Sequence, residues 1–290
     1  MPTMKIQWWL WNQMFQYALG FMLSKKYKEE LVFDPSYLEN RCIFANWTYR
    51  NFELEAFGIK KTYILPNFIW RKFIHPRFIE IFRSFQFGER YIREKWGTYI
   101  SYFPKNAYID GWFNSYLYFI EYDEAIKILF TVKTPLTLKN KNLLENIHSS
   151  SNNAVSLHVR RGDYITLDSA NKWHWVSSIE YYEKAIAFMI NTLQKPKFFV
   201  FSDDISWCKE NIHFPDGIEH LYVDHNGSAG HEDLRLMYSC DHHIIANSSF
   251  SWWWAYLGKN PNKTIIAPEK WLQIDSFNTR NLIPPSWILL

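Results

Sequence analysis

The stretch Ser156-Leu157-His158-Val159-Arg160-Arg161-Gly162-Asp163-Tyr164 concentrates the groups best suited to chemistry. Val155, Leu157 and Val159 alternate with Ser156, His158 and Arg160, the period of a β-strand with its polar set on one face. The strand leaves through Arg161, Gly162 and Asp163. Ligands of open α/β sheets sit just outside the carboxyl ends of strands. Adjacent guanidiniums there form a forked, permanently charged cradle suited to phosphate. The plain alternative is a surface salt-bridge cluster after an edge strand.

Three more clusters fall at element junctions. The apolar run Phe198–Phe201 empties into Ser202-Asp203-Asp204, and His231-Glu232-Asp233 opens a helix. Asn247-Ser248-Ser249 leads into another helix, where backbone N–H groups, hydroxyls and the helix dipole favour an anion. Asn247 and the serines could equally be plain caps. The Asp203–Asp204 pair suits N–H donors of a base or ribose hydroxyls; its alternative is an N-cap for a helix at Trp207. An Arg fork, a serine-lined helix start and an Asp pair together describe a nucleotide-diphosphate pocket. His242-His243 and His231-Glu232 lack zinc-helix spacing, and no Asp-x-Asp occurs, so no metal site is expected. Arginine and a helix dipole would then neutralise a leaving diphosphate.

These clusters need elements to hold them. From residue 154 to 270 strands and helices alternate: strands at 154–160, 198–201, 220–223, 243–246 and 264–267, with helices at 178–193, 207–211, 232–240 and 250–257. Ser177 and Glu180 read as a capping box, and Gly258 as a C-cap glycine. This alternation predicts a doubly wound parallel sheet. Earlier, Lys5–Leu10 is a short apolar run and Asn12–Glu30 an amphipathic helix carrying Met14, Phe15, Ala18, Met22 and Leu23 at helical spacing. Leu31–Asp34 is a strand candidate; residues 60–105 give no clear pattern. The polar segment Lys133–Ser151 reads as a connection, giving domains 1–150 and 151–290.

The 290 residues suit two domains, and 48% hydrophobic content suits full cores. A net charge of +3 with scattered basic residues argues against nucleic acid. No apolar run is long enough for a membrane span, and the start lacks a signal-peptide pattern. Cys42, Cys208 and Cys240 imply no disulfide framework, as expected of a reducing cytosol. Tryptophan is enriched at 15 while glycine is depleted at 10, against an average glycine share of about 7%.

His158-Val-Arg-Arg-Gly-Asp-Tyr164 resembles the H-x-R-R-G-D-Y signature of the α-1,2-fucosyltransferases, glycosyltransferase family 11. Asn247-Ser-Ser-Phe-Ser-Trp-Trp253 resembles that family's N-S-S-F-S-W-W block, and Asn12-Gln-Met-Phe-Gln-Tyr-Ala18 its G-G-L-G-N-Q-M-F-Q-Y-A block. Ile283-Pro284 and Ser286-Trp287 resemble its closing segment. The resemblance implies a GT-B-like α/β architecture, with two Rossmann-like domains facing a cleft. The first would serve the acceptor and the second the GDP-sugar donor. It implies inverting, metal-independent transfer of L-fucose from GDP-fucose to the 2-hydroxyl of a terminal galactose, with no cofactor. The implied setting is a bacterial cytoplasmic enzyme of surface-glycan synthesis, with peripheral attachment to the inner membrane left open. Arg160 would contact the diphosphate, supported by Arg161, and His158 would face the nucleotide. Asp203 or Asp204 would read guanine, Ser248 and Ser249 would hold the β-phosphate, and Asn247 would belong to the same donor-binding set. Asn12 would lie near the reacting sugar, by similarity to a G-N-Q turn of protein O-fucosyltransferases. Asp163 joins Arg160 and Asn12 as a catalytic candidate, although Arg161 beside it favours a low pKa and a structural pairing. The base therefore stays open. Acceptor selection would fall to the first half, where Trp112, Asn114, Tyr116 and Tyr118 suggest an aromatic-polar patch.

The chain departs from the family pattern in one direction. Trp8-Trp9-Leu10-Trp11 replaces G-G-L-G, Trp254 replaces the glycine of S-W-W-G-A, and Trp175 stands where a glycine follows histidine. This reads as an altered version of a natural sequence. Glycine at a strand-to-helix turn supplies positive φ and close backbone approach; indoles there imply strain and a partly filled cleft. The competing expectations are a catalytically inactive GDP- or glycan-binding protein on the same scaffold and, last, a carbohydrate-binding module. The module accounts for neither the arginines nor the serine-lined helix start.

Overall fold

The computed structural model describes residues 1–39, 50–60, 75–95, 98–149, 153–162, 177–227, 229–272 and 279–290. It divides into two compact units, Met1–Lys133 and Thr134–Leu290. The division therefore precedes the segment expected to connect the domains. That segment holds a helix whose Asn140 donates to Asn226 Oδ1 and Glu232 Oε2, each at 3.0 Å, tying it to the second unit.

The first unit is built on a parallel sheet of order β2-β1-β4-β3: β1 Thr3–Lys5, β2 Val32–Asp34, β3 Tyr91–Arg93 and β4 Tyr108–Asp110. Helix α1 (Leu10–Tyr27) follows β1; Leu10, Met14, Phe15, Ala18, Leu19 and Leu23 give it a buried stripe at helical spacing. Met22, expected on that stripe, is only half-buried. Lys25 and Lys26 in the last turn complement the dipole, and Lys28 closes the helix in the left-handed region at φ 53°. The expected run Lys5–Leu10 yields strand only to Lys5, because α1 already starts at Leu10. Short α2 (Ser36–Glu39), α3 (Pro76–Phe87) and α4 (Asp123–Leu129) complete the unit's α-helices among the described residues.

The second unit carries α5 (Leu138–His148) and a parallel sheet of order β10-β9-β8-β5-β6-β7. Its strands are β5 Ala154–Val159, β6 Lys197–Ser202, β7 His220–Val223, β8 His242–Ile244, β9 Ile265–Ala267 and β10 Ile288–Leu289. Between them lie α6 (Ile179–Thr192), α7 (Ile205–Asn211), α8 (Gly230–Tyr238) and α9 (Ser249–Leu257). The doubly wound parallel sheet expected from the alternation is what forms, and the chain is an α/β protein with two parallel sheets, as the GT-B expectation requires.

Packing explains the elements. Tyr181, Tyr182, Ala185, Ile186 and Met189 of α6 cover β5 and β6, burying Val155, Leu157, Phe198 and Val200. Each fully buried aliphatic or aromatic side chain contributes about 1.5–3 kcal/mol before entropy. The cap of α6 is Ser178, whose Oγ accepts from Tyr181 N at 3.2 Å, and not Ser177. The first helical residue is Ile179, so Ser178 is the side chain placed to meet the third N–H; Ser177 instead donates to Asn247 Oδ1 at 3.4 Å. Both faces of β5 are buried, because α9 covers the polar face. Gly258 ends α9 at φ −51°, outside the left-handed region, so conformation is not what demands glycine there. A Cβ at 258 would collide with His243 Nε2.

Candidate anion-binding site

In the second sheet β5 continues to β6 and β7 on one side, while the later strands β8, β9 and β10 lie on the other. The winding reverses between β5 and β8, which pair in parallel with Leu157 beside Ile244. A doubly wound sheet opens a crevice at such a point, outside the carboxyl ends of the two strands. The segment after β5 is Arg160-Arg161-Gly162, and that after β8 runs through Asn247 and Ser248 into α9. The fold thus brings the arginine cluster and the serine-lined helix start to one place, with Asp203 and Asp204 after β6 beside them.

Arg160 Nη1 lies 2.9 Å from Asp203 Oδ2, and Asp203 Oδ1 accepts the Arg161 backbone N–H at 2.9 Å. Arg161 Nε stands 3.5 Å from Asp204 Oδ2, an ion-pair distance, and its guanidinium lies 3.7 Å from the Trp207 ring centroid. Asp204 Oδ1 caps α7, accepting from Trp207 N at 3.1 Å. The cap reading of Asp204 therefore holds alongside its ion pair. The arginine side chains keep 25% and 21% exposure. Gly162 is required by space: an added Cβ would lie 2.5 Å from Asp203 Oδ2.

At the head of α9, Ser248 Oγ accepts from Phe250 N at 3.3 Å. Ser249 is partly exposed. Asn247 is buried and donates to Trp271 O at 2.9 Å, knitting the β8–α9 turn to the following chain. His158 lies inside the layer, 3% exposed, and does not face the open edge. Its Nδ1 is 2.6 Å from Ser251 Oγ, and its ring meets Phe250 edge-on. Burial pushes its pKa down to about 3, with Arg160 adding and Asp203 opposing, so the ring is neutral. It locks α9 onto β5 beneath the arginines.

The third expected cluster is absorbed by packing. Glu232 accepts from Thr134 Oγ1 at 3.0 Å and pairs with Arg235 at 3.3 Å. Asp233 accepts from Asn226 at 2.7 Å, and burial raises its pKa to about 6. Among the described residues no group of three or more His, Cys, Asp or Glu gathers to hold a metal. Asp163 and Trp175 lie outside the described residues. No helix of the described residues is long and apolar enough to cross a membrane.

In the first unit, Asn12 sits half-buried on the first turn of α1. Of the expected aromatic-polar patch, Tyr116 and Tyr118 are core residues at 6% and 4% exposure, leaving Trp112 and Asn114 partly exposed. Tyr118 goes inward because its hydroxyl accepts from Ile100 N and its ring stacks on Tyr99. The sequence reading missed a buried polar network at the carboxyl ends of β1 and β4. Lys5 Nζ reaches Asp110 Oδ2 at 3.1 Å and Glu80 Oε1 at 2.9 Å, and Tyr91 donates to Asp110 at 2.5 Å. Gln7 Nε2 reaches Asp110 Oδ1 at 3.2 Å, while Gln16 Oε1 accepts from Gln7 N at 3.0 Å. Gln13 and Gln16 on the apolar stripe of α1 were the available signal.

A family model described as Glycosyl transferase family 11 matches residues 1–290. An Alpha-1,2-colitosyltransferase of Escherichia coli is 32% identical over 96% of this chain and 95% of its own length. The O-antigen biosynthesis glycosyltransferase WbnK of Escherichia coli is likewise 32% identical, over 97% of each chain. A solved fucosyltransferase NodZ from Bradyrhizobium, 16% identical, aligns over 91% of this chain and 94% of that one with a TM-score of 0.48. With a family match from the first residue to the last and relatives aligned over nearly their full length, the chain belongs to glycosyl transferase family 11.

Proposed function

We propose that this protein transfers L-fucose from GDP-fucose to the 2-hydroxyl of a terminal galactose in a surface glycan, with inversion and without a metal. The observation that carries the reading is the juxtaposition of Arg160 and Arg161 with the Ser248–Ser249 head of α9 where the second sheet reverses its winding. The donor diphosphate binds Arg160, supported by Arg161, and its β-phosphate meets Ser248, Ser249 and the N–H groups of α9. Asp204, the more exposed carboxylate of the pair at 40% against 24%, reads the guanine edge, while Asp203 orients the arginines. Asn247 and His158 act as positioning residues, holding the turn and α9. As the glycosidic bond breaks, charge grows on the departing GDP; fixed guanidiniums and the helix dipole stabilise it, the part a metal plays elsewhere. Asn12 faces the reacting sugar, and Asp163 completes the catalytic set with Arg160. The first unit serves the acceptor and the second the donor, in a cytoplasmic enzyme.

The relative named a colitosyltransferase favours a second donor reading. Colitose is fucose without its 3-hydroxyl, so GDP-colitose would fit the same diphosphate site. With tryptophan at 8, 9, 11 and 254 transfer is slow or absent, and GDP binding without turnover is the inactive alternative. The test is calorimetry with GDP, then transfer from GDP-fucose and GDP-colitose to a β-galactoside with EDTA present. These run on this chain and on one carrying glycine at 8, 9, 11, 175 and 254. GDP binding by both with transfer by the glycine chain supports the reading; no GDP binding by either overturns it.

A further inference from the structure

The tryptophans of this chain are not equally well accommodated: the rings of Trp8 and Trp9 meet Tyr37 and Arg50, yet backbone conformation at Trp8 and hydrogen bonding at Trp254 do not suit an indole. Trp252 donates from Nε1 to Leu282 O at 2.7 Å and stacks on Tyr256 with centroids 4.8 Å apart. Trp254, equally buried one position on, has its Nε1–H buried with no hydrogen-bond partner among the described residues. The ring it meets, His243 with centroids 5.1 Å apart, has an unpartnered Nε2 as well. Burying such donors and acceptors unpaired is destabilising. Trp8 holds φ 69°, the left-handed region that glycine enters freely and a bulky L-residue enters only under strain. Trp9 takes the N-cap of α1 without a side-chain cap bond, at a position that favours Ser, Thr, Asp, Asn or Gly.

Strain at position 8 and orphaned atoms around position 254 coincide with glycine positions of the sequence blocks, as do Trp9, Trp11 and Trp175. Mutational drift from glycine codons would scatter these sites among alanine, serine, valine, aspartate, glutamate, arginine and cysteine, with tryptophan reached in one step from GGG only. One residue type at every site points to one codon read in two ways. UGA is a stop in the standard code, tryptophan in one group of variant codes and glycine in another. We infer that Trp8, Trp9, Trp11, Trp175 and Trp254 are specified by UGA and that the cell owning this gene inserts glycine at each. Trp252 and Trp253 are specified by UGG and are true tryptophans. Glycine at these sites relieves the positive φ, removes the orphaned indole N–H and moves the composition toward the usual glycine share.

The test reads residue identity and needs no activity, so it stands apart from the donor and acceptor assignments. The gene is sequenced, and peptides of the protein isolated from the cells that carry it are analysed by tandem mass spectrometry. The expected result is TGA in the gene at positions 8, 9, 11, 175 and 254, TGG at 252 and 253, and glycine in the corresponding peptides. TGG at the former positions, or tryptophan found there in the native peptides, overturns the inference.

Discussion

Gly162→Ala puts the smallest possible wedge into the arginine cluster. Gly162 is free of left-handed φ, so the effect is one of space alone. The new Cβ would lie 2.5 Å from Asp203 Oδ2 and 3.0 Å from its Cγ. Ordinary contact begins near 3.5 Å, so the carboxylate must retreat by about an ångström. It is held by Arg160 Nη1 at 2.9 Å and the Arg161 N–H at 2.9 Å, and retreat weakens both. Hydrogen bonds to charged groups are worth about 1.5–3 kcal/mol; partial exposure of this pair lowers the expected loss of stability to about 1–2 kcal/mol. The arginines lose their common anchor, and the same energy carried into ligand binding lowers GDP affinity about five- to thirty-fold. Urea denaturation reads the first effect and GDP calorimetry the second. Gly217→Ala is the control: φ 84° makes it strained, but no atom lies within 4 Å of the new Cβ. It should lose about 1–2 kcal/mol of stability and no GDP affinity. Unchanged GDP affinity in Gly162→Ala, with Asp203→Asn equally silent, would refute the assignment of this cluster to the diphosphate.

Three further predictions follow from single contacts. His158 and His243 are buried with pKa values driven down, His158 to about 3, so the unfolded chain binds more protons below its own value of about 6.5. Stability must then fall as pH drops below about 6.5, at roughly 1.4 kcal/mol per pH unit per histidine; urea midpoints between about pH 7 and about pH 5 should show it, and His158→Gln should flatten the slope. Trp252→Phe abandons the Leu282 carbonyl and should cost about 1–3 kcal/mol, whereas Trp254→Phe removes an unpaired N–H and should cost less; thermal melts of the two variants rank them. Ser178→Ala should cost about 1 kcal/mol through loss of the α6 cap and exceed Ser177→Ala, read by the same melts.

The second unit was legible in the sequence because its signals are local. The run Phe198–Phe201 is apolar throughout, and parallel strands covered on both faces take that pattern. Strand β7 falls at the expected 220–223, and the helix ending at Leu257 is stopped by Gly258 as read. The reason for that glycine was not legible, since it depends on His243 of another element. His158 was misplaced for a similar reason: alternation identifies its face of β5, but only the arrival of α9 decides that the face is closed. In the first unit, β1, β2, β3 and β4 are each only three residues long, too short for periodicity to register, and the Lys5–Asp110–Glu80 network joins residues far apart in sequence.

Both sheets reverse their winding and both present a helix at the reversal, yet electrostatics separates the two sites. In the first unit the start of α1 is met by the chain's own carboxylate: Glu53 Oε2 accepts the Leu10 N–H at 3.0 Å. Burial raises the Glu53 pKa while that N–H and Arg50 oppose the rise. A negative group already answers this helix dipole, and a second anion there would meet a like charge. At the start of α9 the cap is a neutral hydroxyl, Ser248 Oγ, and the first turn carries no acidic residue. The cations Arg160 and Arg161 stand at that same reversal, paired with Asp203 and Asp204. The dipole of α9 thus meets no carboxylate in its own first turn, whereas that of α1 is met by Glu53. In the first unit the dipole of α1 is answered internally, and the strand ends are occupied by the Lys5–Asp110–Glu80 network.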